Sequence, residues 1–196
     1  MQRSLAILGH WLHNLAFAAW AGGILAIGAL VAPSAFHPDP EFVRQIGPEM
    51  ARQFAGLVVG ESVRKLNTLA FVCAGIMLAA TWAEWRVRGE QARRFLFVRA
   101  VLTAAALALA LYLGIRLFPT MIHLRAADRM ADFDRLHHLY EAVTEVQFWL
   151  LVAGALITAY IALPRKAGVR GQRSGVRATG GLTPDPSPLT PGAQRP

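Results

Sequence analysis

Cysteine is nearly absent from this sequence, and the signature motifs of common enzymes are absent altogether. The single cysteine, Cys73, lies inside an apolar run. One cysteine excludes an intramolecular disulfide and a thiolate metal cage built from this chain alone, so we interpret Cys73 as a small packing residue. The sequence contains no G-x-x-x-x-G-K-[ST], G-x-S-x-G, H-E-x-x-H or C-x-x-C-H motif. We therefore expect a protein without a catalytic site.

Charged residues are scarce in four long stretches of the chain. The longest, residues 5–32, contains no Asp, Glu, Lys or Arg. As a helix it would be ~42 Å long, against ~30 Å for the hydrocarbon core of a bilayer. Three further apolar runs cover residues 66–85, 95–118 and 146–163. Because the chain is also 55% hydrophobic with a mean hydropathy of +0.38, we predict an all-α membrane protein in which four helices span the bilayer.

The remaining segments divide the chain into a membrane domain and a tail. Residues 1–164 form the predicted four-helix transmembrane bundle. From Pro48 the residues suit a short amphipathic outer helix, and helical spacing that begins at Phe133 continues into the fourth span, so that helix should project beyond the bilayer. Residues 165–196 are rich in Gly, Pro, Ser and Arg, which predicts a disordered basic tail.

Small residues recur every three or four positions on each span. In lipid, such stripes let a neighbouring helix approach closely, so we predict that they pack the bundle and that they permit a homo-oligomer. The predicted packing positions are His10, Asn14, Ala18, Gly22 and Ala26 on the first span, Gly75, Ala79 and Ala83 on the second, Ala106, Ala110 and Gly114 on the third, and Gly154, Thr158 and Ala162 on the fourth.

The basic residues set the expected orientation. The N-terminus, the connection between the second and third spans, and the tail hold twelve Lys and Arg, whereas the other two connections hold eight together with nine acids. By the positive-inside rule both termini should face the cytoplasm, with the protein in a bacterial inner membrane. The net charge of +8 is then explained by orientation, and we expect the lipid bilayer rather than nucleic acid as the partner.

Two histidines on the first span are candidate metal ligands. His10 and His13 lie three residues apart on one helix face, a spacing that can grip a metal ion or the edge of a haem. The alternative is that they are interfacial side chains hydrogen-bonded to Asn14 or to a lipid headgroup. The other four histidines fall on the opposite side of the membrane, more than ~25 Å away along the helix axis, so one site cannot use both groups.

A second candidate metal site lies on the projecting part of the fourth helix. His137, Glu141 and Glu145 fall every four residues on one face, as in the carboxylate and imidazole sites of helix bundles. A solvated polar face is the alternative, because another helix would need to supply further ligands. None of the four spans carries an ionisable residue at its centre, which argues against a proton relay or an ion-coupled transporter.

Several stretches together resemble a known family of membrane proteins. They are HWLHNLAFAAWAGGILAIGALVAPSAF, residues 52–60, YLGIRLFPTMIHLR and FDRLHHLYEAVTEVQFWLL. These stretches are similar to the transmembrane protein 205-like integral membrane family, also catalogued as domain of unknown function 4149. The resemblance implies a small multi-pass membrane protein without an established biochemical role. On the family pattern the signature positions would include Trp20, Gly22, Gly23, Pro33, Arg116, Pro119 and His137.

The first helix alone is also similar to copper-resistance D type membrane proteins, which share a His, Trp and Gly-Gly pattern. Two functional expectations follow. The first is a structural or accessory multi-pass membrane protein without a catalytic site or a cofactor. The alternative is a copper- or haem-binding membrane protein that uses the histidines near the helix ends.

Overall fold

Four long helical segments dominate the structure. The computed structural model describes the backbone of residues 2–162 and the side chains of residues 4–162. The four segments run over Ser4–Phe36, Pro48–Val87, Glu90–Ala126 and Met130–Ala162, and each is long and apolar enough to cross a membrane. We call them spans one to four. The prediction of an all-α protein with four membrane-crossing helices is confirmed, and the tail predicted over residues 165–196 lies outside the described residues.

Two of the spans are interrupted by wider helical turns. The helices are α1 (Gln2–Ala26), α2 (Ala32–Phe36), α3 (Pro40–Ile46), α4 (Pro48–Val87), α5 (Glu90–Leu111), α6 (Phe118–Ala126) and α7 (Met130–Ala162). π-Helical turns join α1 to α2 over Ile27–Val31 and α5 to α6 over Tyr112–Leu117. Each π turn ends two residues before a proline, Pro33 or Pro119. Proline cannot donate the hydrogen bond that an α-helix requires, so the neighbouring turn adopts a wider pattern.

The predicted helix at Pro48 begins there but does not end as a short element. Gly47 precedes it with φ of +83°, a conformation that glycine adopts without strain. The helix then continues unbroken for 40 residues as α4, so its first turns are the projecting part of span two. A separate short helix, α3, comes before it and is capped by Asp39, whose Oδ1 accepts a hydrogen bond from the Glu41 amide at 2.7 Å.

The spans pack in order around one apolar core. Span one contacts spans two and four, span two contacts span three, and span three contacts span four. Trp20, which is fully buried, lies in this core among small side chains that include Ala74 and Ala106. Small neighbours from several helices leave room for one large ring. The core therefore places Trp20 among the packed helices.

The buried faces of spans three and four agree with the predicted stripes. Ala106 and Ala110 are buried on span three, Gly154 and Thr158 are buried on span four, and a Cβ on Gly114 would contact Asn67 and Phe71. Only Ala162, at the end of the described chain, is exposed.

The predicted stripes of spans one and two are wrong. On span one, Ala18 and Gly22 are exposed and the other three predicted residues are only partly buried; on span two, Gly75 and Ala79 are exposed. The buried residues are instead Gly9, His13, Ala16, Trp20 and Ala21 on span one, and Asn67, Ala70, Cys73, Ala74, Met77, Ala80, Thr81 and Glu84 over residues 67–84 of α4. The true face lies about one residue away, which is about 100° around the helix.

The two ends of the bundle differ, because helices extend further at one end than at the other. We call the end that holds the Arg88–Gly89 turn the inner end and the end that holds Asp128 the outer end, following the predicted orientation. At the outer end Leu113, Leu117 and Met121 form a second apolar cluster with residues of α7, including Phe133 and Leu136. Since α4 alone is ~60 Å long, twice the thickness of the hydrocarbon core, the outer helices extend beyond the bilayer.

Candidate functional site

The centre of the inner end is a buried arginine. Arg99 is completely buried on span three. Its Nη2 donates a hydrogen bond to Glu84 Oε1 at 2.9 Å, its Nε donates to Thr81 Oγ1 at 3.1 Å, and its Nη1 donates to Thr158 Oγ1 at 3.4 Å. Thr81 and Glu84 belong to span two and Thr158 to span four, so one guanidinium joins three helices.

The two threonines are arranged to accept from this guanidinium. Thr81 Oγ1 donates to the Met77 carbonyl at 2.7 Å, and Thr158 Oγ1 donates to the Gly154 carbonyl at 2.9 Å. Each hydroxyl proton is therefore directed into its own helix, which leaves an oxygen lone pair free for Arg99. Both threonines lie inside a helix, where a hydroxyl can reach the carbonyl four residues earlier.

The carboxylate of Glu84 lies between two guanidinium groups. Glu84 is completely buried, with Oε1 bound to Arg99. Its Oε2 lies 3.2 Å from Arg88 Nε, which is an ion-pair distance without the angle of a hydrogen bond. Gly9 of span one packs on the same group, because a Cβ on Gly9 would lie 3.2 Å from both Glu84 Cγ and the Ala80 carbonyl oxygen. We call His13, Thr81, Glu84, Arg88, Arg99 and Thr158 the inner polar cluster.

His13 is the one member of the inner polar cluster whose side chain has neither a hydrogen bond nor an ion pair within the described residues. It is completely buried, and neither ring nitrogen has a partner there. The buried Nδ1 of His10 and the Nε1 of Trp20 also have none. A neutral imidazole carries one donor and one acceptor, and leaving such a buried group unpaired costs about 1–3 kcal/mol. The hydrogen bond to Asn14 that was one part of the predicted alternative is not observed among the described residues.

A second polar layer marks the outer boundary of the apolar core. Tyr140 donates to Asn67 Oδ1 at 3.4 Å, and deeper in the core Gln147 Nε2 donates to the Ala106 carbonyl at 3.0 Å. Asn67 and Glu84 are 17 residues apart on α4, which corresponds to ~26 Å along the helix. This separation is close to the thickness of a hydrocarbon core, so the inner polar cluster lies near the inner boundary of the membrane.

The predicted outer metal residues lie on an exposed surface. His137 Nε2 is 3.3 Å from Glu141 Oε1, and His138 Nδ1 is 3.1 Å from Glu141 Oε2, so both imidazoles share one carboxylate. Phe133 stacks on the His137 ring at 5.8 Å, and Glu145 is exposed. Over residues 2–162 no group of three or more His, Cys, Asp or Glu is placed to hold a metal ion.

The residues of the family resemblance fall into different environments. Trp20 is fully buried, and a Cβ on Gly23 would meet Leu66 Cδ1 at 2.7 Å, so both positions serve helix packing. Gly22 and Arg116 are exposed. The two signature prolines, Pro33 and Pro119, follow the π turns, and His137 belongs to the outer group described above.

Sequence reasoning missed the pairing of Glu84 with Arg99. Both residues are near the inner ends of apolar runs, where charged residues are common. One signal could have found the pair: Arg99 lies seven residues before Ala106, and therefore on the predicted packing face of span three. A charge on a packing face must have a partner, since an isolated buried charge is costly.

Comparisons with known proteins place the chain in a family without assigning it an activity. The family model described as Domain of unknown function (DUF4149) matches residues 15–129. That region extends from span one to the residue before α7 and includes Glu84 and Arg99. Searches of curated proteins and of solved structures found no match.

Proposed function

Since this chain belongs to the family described as Domain of unknown function (DUF4149), we propose its function from the inner polar cluster rather than from a named activity. We infer a non-catalytic, structural or accessory multi-pass protein of a bacterial inner membrane, with both termini in the cytoplasm. Its partner is the lipid bilayer, and self-association into a homo-oligomer is part of the same proposal. The finer likeness to transmembrane protein 205-like proteins stays a prediction.

The observation that carries this proposal is the set of three bonds made by Arg99. Its guanidinium binds a carboxylate and two hydroxyls on two other helices. The buried charges of Glu84 and Arg99 thus neutralise each other and are used to hold helices together. In lipid, interhelical hydrogen bonds and close packing are what associate spans, so this arrangement supports a structural role for the cluster.

The distribution of charge supports the proposed orientation. At the inner turn Arg86, Arg93 and Arg94 form no ion pair within residues 4–162. On the outer side several cations are neutralised by acids on their own helices, as in the pair of Arg64 with Glu61 at 2.7 Å. The positive-inside rule counts Lys and Arg close to the ends of the spans, so the four arginines within residues 86–94 support a cytoplasmic position for this short turn.

The runner-up function is copper or haem binding, and one observation favours it. His13 is buried with two unpaired nitrogens, and His10 Nδ1 is also buried and unpaired. A ligand between these imidazoles would satisfy nitrogen atoms that the described residues leave without partners. The outer set of His137, Glu141 and Glu145 is half-buried at His137 and exposed at both carboxylates, and it offers a weaker alternative. Likeness of the first helix to copper-resistance D type proteins belongs to this second proposal.

Metal analysis and a visible spectrum of the purified full-length protein separate the two functions. For an accessory protein we expect less than one metal ion per ten chains and no absorption band in the haem region. The double variants His10→Ala with His13→Ala, and His137→Ala with Glu141→Ala, should leave both readings unchanged. A stoichiometric metal or a haem band that the first double variant abolishes would replace the accessory role with the runner-up.

A further inference from the structure

The turn between spans two and three carries unpaired positive charge. Arg86, Arg93 and Arg94 surround this turn and are exposed. Within the described part of the chain none of them forms an ion pair, and Glu84, the nearest buried acid, is already held by Arg88 and Arg99. Glu90 is the one other acid in residues 85–98. We call Arg86, Arg93 and Arg94 the inner arginine patch.

Five of the eight Lys and Arg residues on the outer side are paired with an acid of their own helix. On the outer side five cations have an acid three or four residues away on the same helix. These pairs are Arg44 with Glu41, Arg52 with Glu49, Arg64 and Lys65 with Glu61, and Arg129 with Asp132. Arg116, Arg125 and Arg135 of the outer side form no ion pair within residues 4–162, but they belong to three different elements, the second π turn, α6 and α7. The three unpaired arginines of the inner end instead lie within nine residues around one turn. An external anion is the simplest counter-charge for the inner arginine patch.

Aromatic side chains place the patch at the level of lipid headgroups. Trp82, 61% exposed, lies on the outside of span two, and the Arg86 guanidinium carbon lies 4.4 Å from the centre of its ring. Trp11, 70% exposed, belongs to the same end of span one, two residues from Gly9, which packs on Glu84. Exposed tryptophans on membrane helices sit at the interface between hydrocarbon and headgroups, and an arginine beside them extends toward the phosphates.

From this placement we propose that the inner arginine patch binds the phosphate groups of anionic phospholipids in the adjacent leaflet. Guanidinium groups match phosphate oxygens in a planar, two-point geometry. Basic residues that lie beside a transmembrane helix are attracted to anionic lipid. The lipid surface, rather than a soluble phosphate, is the occupant because Trp82 anchors the patch where headgroups lie. The inference holds for either leaflet and does not depend on the accessory role.

The test measures binding of phosphatidylglycerol to the full-length protein in a neutral detergent. The triple variant Arg86→Gln, Arg93→Gln, Arg94→Gln should weaken binding by roughly tenfold or more. A matched triple variant on the outer side, Arg44→Gln, Arg52→Gln, Arg129→Gln, removes the same charge and should change binding less than about twofold. Phosphatidylcholine, which has no net charge, should bind more weakly than phosphatidylglycerol.

Glycerol phosphate provides the second arm, because it offers the phosphate without the acyl chains. At equal concentration it should not displace the lipid. Equal loss of lipid binding in both triple variants, or displacement by glycerol phosphate, would overturn the proposal. Should the inner triple variant fail to fold, the three single variants carry the test, with a loss of about threefold expected for each and no loss in any of them counting against the proposal.

Discussion

Replacing Arg99 with alanine should lower the stability of the detergent-solubilised protein by about 3 kcal/mol, because the Glu84 carboxylate then stays buried without its hydrogen-bonded partner. The usual range for breaking a buried pair is about 3–5 kcal/mol. We expect the lower end because Arg88 Nε remains 3.2 Å from the other carboxylate oxygen. Thermal unfolding followed by circular dichroism gives the measurement, and Arg94→Ala, an exposed residue on the same helix, should change stability by less than about 0.5 kcal/mol.

A double variant distinguishes removal of the whole Glu84–Arg99 ion pair from removal of one of its two charges. Glu84→Leu combined with Arg99→Met removes both charges and keeps much of the volume, so it should recover most of the stability that Arg99→Ala loses. If Arg99→Ala unfolds at the temperature of the native protein, the inner polar cluster does not hold the spans together. If the double variant is as unstable as the single one, the cost comes from packing and not from an uncompensated charge.

A leucine at Gly9 should destabilise the protein by about 1–3 kcal/mol, as is typical of an overpacked interior. A Cβ at this position already lies 3.2 Å from the Ala80 carbonyl oxygen. That atom belongs to the backbone of α4 and cannot turn aside, so span one must move away from span two. The same shift would disturb Glu84, whose Cγ is equally close.

Gly22→Leu is the matched control for this prediction. Gly22 lies on the same helix and is exposed, and a Cβ there would have no neighbour within 4 Å. Its replacement should leave the unfolding temperature unchanged or slightly raised, because leucine favours helix more than glycine does. If the two leucine variants unfold at the same temperature, span one does not approach span two closely at Gly9.

The sequence predicts the number and the extent of the spans. It does not predict which face of span one or of span two is buried. Bilayer thickness sets a minimum length for an apolar run, and residues 5–32 exceed it clearly. Which side of such a run is buried is harder to predict, because lipid-facing and protein-facing residues are equally apolar. The positions of small residues are then the main guide to the buried face. On span one this guide fails, because Ala16 is buried and Ala18 is exposed although both are alanines.

Outside the apolar runs, too, the sequence predicts where an element begins better than how far it extends. The segment from Pro48 has the amphipathic pattern of an independent outer helix, and it begins where the pattern indicates. No proline or other strong breaker separates it from residue 66, so it continues into span two. The burial of His13 was also not predicted, because the predicted stripe put Asn14, one residue further along the helix, on the buried face.

The most direct test of the account is whether the two turns on either side of span three lie on opposite sides of the membrane. In a Cys73→Ala background, Gly89→Cys marks the inner turn and Ala127→Cys marks the outer one. A membrane-impermeant maleimide added to intact cells should label Ala127→Cys, and should label Gly89→Cys only after permeabilisation. The reverse pattern would overturn the orientation, and equal labelling of both turns in intact cells would contradict the claim that span three crosses the bilayer.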